Sequence, residues 1–497
     1  MDGIGVIKRG RYAVAKAKRE LSKHSENKWA ILALLVLAQF MVVLDVAIVN
    51  VALPSIAREL HFSGNNLQWV ITAYTLTFGG FLLLGGRAAD LYGRRKIFIA
   101  SVSFFALMSL LCGLAASETQ IIIARAFQGL AAAFMSPAAL SIVLSEFEEG
   151  KERNKAMGIW AAVSAGGAAA GVLLGGVLTQ YLSWRWNFFV NVPVGIAVVF
   201  VSIRMLPHHI GEEHKKATLD LPGAVLATSG LMSIVYGLSK APADGWGSTT
   251  VWAFIAGGVA LLLAFVWNER RTDQPLMPLE IFKIRNLAGA NTAFLVIACT
   301  LFSMFFFLTL YVQTVLHYSP VKTGLCFLPV TFIVAIMSGI VSNLVGKIGY
   351  KPPMNLGPVV IALGLFILSK TMKVDGNYWH NVFPGLATFA CGMGLTFVSG
   401  TLAATSGVPK HFSGLASGIL NTSQQVGGAI GLGILSAVAF STVKAEVSAG
   451  GPPLAAQVHG YVAGIQVGVG LAIAAALVVL LVVKNHKVDA KEAMMAG

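Results

Sequence analysis

Charge is what this sequence has least of. Only 12% of its 497 residues are Asp, Glu, Lys or Arg, while 56% are hydrophobic, and its mean hydropathy is +0.74. Soluble domains carry about 25% charged residues, so an ordinary soluble class is excluded. A polytopic membrane protein is implied instead. Cysteine is equally sparse: Cys112, Cys299, Cys326 and Cys391 show no metal or disulfide spacing and read as small apolar packing residues. His317, His380 and His411 fall in separate loops. No metal, no cofactor and no enzyme are therefore expected. A cleavable signal peptide is not expected either, because the first apolar run is too long for a signal core.

Acids are scarcer than bases, 22 against 36 Lys and Arg, leaving a formal charge of +14. Such a surplus suggests nucleic acid until its distribution is read. Apolar runs long enough to span a bilayer fall near 30–53, 68–88, 97–115, 120–144, 156–180, 187–205, 219–239, 251–267, 290–315, 323–345, 355–371, 382–404, 415–440 and 458–483. Starting inside, these fourteen runs leave 28 Lys and Arg in segments assigned inside and seven in those assigned outside, with Arg125 within a run. Cytoplasmic segments carry the basic excess of membrane proteins. The surplus belongs to the cytoplasmic face of the lipid bilayer, with both termini cytoplasmic, and no nucleic acid partner is expected.

One acid breaks the apolar pattern. Asp45 alone lies well inside a run, in Leu44-Asp45-Val46-Ala47-Ile48-Val49-Asn50-Val51. A charge there costs about 3 kcal/mol on insertion scales, so it is expected to face a cavity or a partner. Arg125, in the fourth run, lies at a compatible depth: about 10 Å below the outer end of its helix, against about 14 Å for Asp45. Each is expected to offset the other's burial.

The chain also carries a faint internal repeat. Gly86-Arg87-Ala88-Ala89-Asp90-Leu91-Tyr92-Gly93-Arg94-Arg95-Lys96 follows the second run. Gly346-Lys347-Ile348-Gly349-Tyr350-Lys351 follows the tenth, with Gly93 matching Gly349 and Arg95 matching Lys351. Repeated halves around a midplane site are an architecture of secondary transporters. The expected fold is an all-α polytopic membrane protein with two six-helix halves and two extra central spans. Its parts would be a basic tail (1–28), a six-span half (29–205), a linker with two extra spans (206–285), a second half (286–484) and a tail (485–497).

These residues resemble the major facilitator superfamily, and within it the fourteen-span drug:proton antiporter branch. The resemblance runs from about Trp29 to Lys484. Gly86, Asp90, Gly93, Arg94 and Arg95 match the loop that in the family acts as a conformational latch. Arg125-Ala126-Phe127-Gln128-Gly129 is similar to the motif with a buried arginine. The glycine-rich fifth run resembles the antiporter motif, so Gly171, Gly175 and Gly176 are expected to bend it, but Val172 stands where that motif has proline. The segment from Trp184 to Pro193 resembles the start of the branch's sixth span and reads as a family marker. The segment from Gly414 to Gly428 is similar to the thirteenth, with Gln424 where an arginine is often found.

The resemblance implies a multi-pass transporter of the cell membrane that exports small amphipathic or drug-like molecules in exchange for protons, with Asp45 and Arg125 as the coupling pair. Substrate-cavity candidates are Trp69, Tyr74, Gln128, Tyr311, Gln313, Asn421, Gln424 and Gln425. The alternatives are a dedicated exporter of one endogenous metabolite, lipid or antibiotic, a proton-coupled importer and, from another class, a non-transporting membrane scaffold.

Overall fold

The computed structural model describes residues 3–62, 64–147, 150–206, 219–409 and 412–485. His411, part of the linker at 207–218 and the tail from 486 onward lie outside the described residues. Among the described residues, fourteen helices are long and apolar enough to cross a membrane: Lys28–Glu59, Trp69–Tyr92, Arg94–Gly113, Glu118–Glu146, Lys155–Tyr181, Trp186–Met205, Leu221–Asp244, Thr249–Arg271, Arg285–Val315, Pro320–Ile348, Lys351–Thr371, Tyr378–Thr405, Gly414–Ser448 and Pro453–Val482. They are numbered here as spans one to fourteen. The first continues a helix that begins at Gly3. The end of the bundle bearing Lys28 and Val482 is called the tail face, and the opposite end the far face.

Side-chain acceptors and prolines set several helix starts. Ser117 Oγ accepts from Gln120 N–H and Ser319 Oγ from Lys322 N–H, each satisfying a donor the helix itself leaves open. Pro320 and Pro453 open the tenth and fourteenth spans, where a missing N–H costs nothing.

In lipid the apolar effect gives helices little reason to associate, so close backbone contact between small residues does that work. A Cβ on Gly129 would lie 2.2 Å from Tyr74 O, which shows how tightly the second and fourth spans cross. A Cβ on Gly171 would lie 2.7 Å from Ala47 Cβ, and one on Gly175 2.8 Å from Ile48 O, so the fifth span packs directly on the first. The helix runs uninterrupted from Lys151 to Tyr181, and these glycines are contact points. With Val172 in place of proline, no N–H is removed at that position.

The two halves meet along two seams. One joins the second span to the thirteenth, where Gly79 faces Gln425 and Gly418 faces Leu83. The seventh span flanks this seam, with Leu231 and Val235 packed among Trp69, Leu76 and Val426. The other seam joins the fifth and tenth spans, and only at the far face. There a Cβ on Gly176 would meet Pro320 O at 2.7 Å and one on Gly324 would meet Val172 O at 2.6 Å. Val321 N–H donates to Gln180 Oε1 at 3.2 Å, and Gln313 Nε2 donates to Val51 O at 2.8 Å.

The stripe of the fifth span that seals this seam (Val172, Gly176, Gln180) continues toward the tail face through Gly166, Ala162 and Gly158. Those three are exposed, and the two glycines have nothing within 4 Å of a Cβ position. On the tenth span Ala335 and Gly339 are likewise exposed. The cleft between the halves is closed at the far face and open toward the tail face.

Candidate functional site

Beside the cleft, inside the first half, five spans converge on a buried polar cluster. Asp45 is 0% and Arg125 1% exposed. Arg125 Nη1 donates to Asp45 Oδ2 at 2.5 Å and to Gln128 Oε1 at 2.7 Å, while Nε donates to Val70 O at 2.9 Å. The guanidinium carbon lies 4.2 Å from the centroid of the Tyr74 ring. Asp45 Oδ1 accepts from Gln128 Nε2 at 2.8 Å and from Asn191 Nδ2 at 3.0 Å. Both amides also donate to Ser109 Oγ, at 2.6 and 3.2 Å. Each ion is thus both paired and hydrogen-bonded, as burial of charge requires.

The elements explain the convergence. Arg125 and Gln128 lie three apart on the fourth span and so share a face. Ser109 and Cys112 are likewise three apart on the third, and Cys112 Sγ contacts Gln128 Oε1 at 3.6 Å. Asn191 opens the helix Asn191–Met205, just past Val190, which separates it from the short helix Trp186–Phe189. Its side chain enters the cluster from the first turns of the sixth span, whose backbone stays helical through Val190 (φ −59°, ψ −29°).

At the tail face Gly93 ends the second span with φ +95°, a conformation open to glycine at no steric cost. Arg94 Nη2 pairs with Asp90 Oδ1 at 3.3 Å, and Arg94 Nη1 reaches Ser141 O at 3.4 Å. Arg95 Nη2 donates to Ile203 O, near the end of the sixth span, at 2.6 Å. A Cβ on Gly86 would lie 3.7 Å from Pro137 Cβ. The second half repeats this plan. Gly349 has φ +82°, and Lys351 Nζ donates to Leu480 O, near the end of the fourteenth span, at 2.8 Å.

The cavity candidates separate. Tyr74 and Gln128 belong to the buried cluster. Trp69 packs against Tyr236 of the seventh span, with ring centroids 6.4 Å apart. Tyr311 is fully buried, and its hydroxyl donates to Lys373 O at 2.7 Å. Gln313 belongs to the far-face seam. In this conformation Trp69, Tyr74, Gln128 and Tyr311 are all packed away from solvent, because each fills a helix contact. Asn421, Gln424 and Gln425 remain partly or fully exposed on the thirteenth span. Sequence reasoning did not single out Asn191 or Ser109. The available signal was polarity inside apolar runs, and Asn191 stood within a segment read as a family marker.

A fourteen-span bundle of two repeated halves, a cleft open at one end and a buried ion pair beside it define a multi-pass membrane transporter. The family model described as the Major Facilitator Superfamily matches residues 35–432, and the chain belongs to that family, whose members move small molecules. It is 38% identical over 475 residues to the puromycin resistance protein pur8 of Streptomyces alboniger, covering 94% of this chain and 93% of that protein. It is 39% identical to the cephamycin export protein CmcT of Amycolatopsis lactamdurans, over 81% and 83% of the two chains. Multidrug resistance protein Stp of Mycobacterium tuberculosis (strain CDC 1551 / Oshkosh) is 34% identical, over 83% and 76%. Among solved structures, a peptide transporter POT in complex with sulfate shares the fold with a TM-score of 0.67 at 15% identity, covering 94% of this chain and 96% of that one.

Proposed function

We propose that this protein exports small amphipathic or drug-like molecules across the cell membrane in exchange for protons, by alternating access of its cleft. The observation that carries the reading is the sealed Asp45–Arg125 pair, a titratable group beside the cleft in a chain whose relatives are named for antibiotic resistance and export. The tail face is cytoplasmic, which agrees with the basic excess of its loops and puts both termini inside. Residues 29–205 and 286–484 form the moving halves, and 206–285 carries the two extra spans. Gly86, Asp90, Gly93, Arg94 and Arg95 latch the first half at the cytoplasmic face.

In the exchange Asp45 takes a proton when the site communicates with the acidic outside. Protonation removes the charge that holds Arg125 and shifts the balance between the two cleft openings. Release of the proton to the cytoplasm restores the pair. Asn421, Gln424 and Gln425 are uncharged polar groups of the thirteenth span; they suit uncharged or cationic amphipaths better than phosphorylated substrates, which need fixed cations. The names of CmcT and pur8 favour antibiotics as the substrate class.

The test is accumulation of puromycin and ethidium in cells stripped of their own pumps, with and without an uncoupler. Expression of this chain should lower accumulation, and the uncoupler should restore it. Exclusion that persists after uncoupling would overturn proton exchange, and increased uptake would overturn export.

A further inference from the structure

A carboxylate and a carboxylic acid make opposite demands on their neighbours. The carboxylate needs donors, and Asp45 has three: Arg125 Nη1, Gln128 Nε2 and Asn191 Nδ2. The acid carries an O–H that needs an acceptor, because buried donors are rarely left without one. Gln128 is committed. Its Oε1 accepts from Arg125 Nη1 at 2.7 Å and from Cys112 Sγ at 3.6 Å. Turning that amide would aim its NH2 group at the guanidinium.

Asn191 is differently placed. Its Nδ2 makes two bonds, to Asp45 Oδ1 at 3.0 Å and Ser109 Oγ at 3.2 Å, whereas among the described residues its Oδ1 makes none. A half turn about Cβ–Cγ exchanges nitrogen and oxygen with almost no change of shape. The other titratable groups around Asp45 are Arg125 from the fourth span, Tyr74 from the second and Cys112 from the third. The sixth span contributes only Asn191 to the carboxylate.

We propose that Asn191 reads the protonation state of Asp45: Nδ2 donates to the carboxylate, and after a half turn Oδ1 accepts from the acid. This rests on Asp45 being the proton site. The balance closes without breaking a covalent bond beyond the proton transfer. The incoming proton bonds to Asp45, its O–H donates to Asn191 Oδ1, and the Ser109 hydroxyl turns its own proton to the second lone pair of that oxygen. Two N–H donations from Asn191 are given up for two O–H donations to it, and Nδ2 comes to the place Oδ1 now holds, where no described residue accepts from it. Asn191 lies on the sixth span, Trp186–Met205, so the exchange acts on that helix. Asn191 is a positioning residue, acting through Asp45.

The test is infrared difference spectroscopy of the full-length protein in lipid nanodiscs across a pH titration. A carboxylic C=O band should appear as pH falls and be missing in Asp45→Asn. A side-chain amide band should shift with the same midpoint and be missing in Asn191→Leu. A charge-assisted bond is about twice as strong as a neutral one, so Asn191→Leu weakens the carboxylate more than the acid. The carboxylic band should then reach its midpoint at about five-fold lower proton concentration. Asn191→Ser, whose hydroxyl both donates and accepts, should stay within about two-fold of wild type. An amide band that stays still while the carboxylic band titrates overturns the inference and leaves the proton site intact. An unmoved midpoint in Asn191→Leu does the same. A wild-type spectrum with no band dependent on Asp45 overturns both. Should the leucine variant fail to fold, the wild-type amide band and the serine variant decide.

Discussion

If Asp45 and Arg125 hold each other in the membrane, removing one partner must cost more than its own bonds. Arg125→Met leaves Asp45 with the amides of Gln128 and Asn191 but no cation, and Val70 O and Gln128 Oε1 each lose a donor. Breaking a buried pair from one side costs about 3–5 kcal/mol. Asp45→Asn is gentler, because the guanidinium keeps Val70 O, Gln128 Oε1 and the face of Tyr74. An expected cost is about 1–3 kcal/mol, that of leaving one charged donor unmatched. The double variant should be more stable than the sum of the singles predicts, by about 1–3 kcal/mol, the usual coupling of contacting neighbours. Unfolding free energies from denaturant titration of purified protein in mixed micelles give the cycle. Additive effects within about 0.5 kcal/mol would refute the contact as an energetic unit. Transport supplies an independent arm. None of the three variants should exchange drug for protons, and pH-driven puromycin efflux at wild-type rate by Asp45→Asn would refute Asp45 as the proton site.

The remaining expectations are more local. Asp90→Asn removes the partner of Arg94 at 3.3 Å on the surface, so stability should change by less than about 1 kcal/mol. Efflux should nevertheless fall, which transport per unit of inserted protein measures; unchanged efflux would reduce the loop to a topology signal. Gly324→Leu drives a side chain into Val172 O, 2.6 Å from the Cβ position, and should prevent far-face closure. Cysteines at Gln180 and Val321, whose side-chain oxygen and backbone N–H lie 3.2 Å apart, should be bridged by a short bifunctional thiol reagent in wild-type background and far less in Gly324→Leu. Reporter fusions after Lys28 and Lys484 should both report the cytoplasm, and an external signal from either would overturn the orientation.

The fourteen spans were legible because hydropathy over some twenty residues is a one-dimensional property and needs no knowledge of neighbours. Asp45 stood out for the same reason, as a charge against an apolar background. Arg125 was marked by the family motif it resembles, and the helical rise, which converts residue counts into depths, put it at a level compatible with Asp45. The cluster's other members are a different case. Ser109 and Asn191 are uncharged, cost far less to bury than an ion and carry no mark of depth. Their meeting with Asp45, from positions 64 and 146 residues away, depends on rotations of three helices that no periodicity fixes. The same holds for Trp69 and Tyr311. An aromatic ring in a span fits a cavity wall or a helix contact equally well, and only the packing partner (Tyr236 for one, Lys373 O for the other) decides.

The repeat and the charge distribution together give the two halves unequal parts. Both carry the tail-face device: a left-handed glycine ends a span, and two residues later a cation binds a last-turn carbonyl of the sixth helix of the same half, as with Arg95 on Ile203 O and Lys351 on Leu480 O. Cations belong at helix C-termini, so each device ties the ends of its half together. Beyond this the correspondence stops. Asp90 and Arg94 pair in the first half, whereas in the second Asn485 takes over, donating to Ile348 O and accepting from Lys351 N–H. Among the described residues the fully buried ion pair lies in the first half, and at Gln424 the second carries an amide. Under the proposed exchange, a proton arriving at Asp45 would change the buried electrostatics of the first half alone. On that proposal the asymmetry would let one half respond to the gradient while the other presents the uncharged Asn421, Gln424 and Gln425 to the substrate.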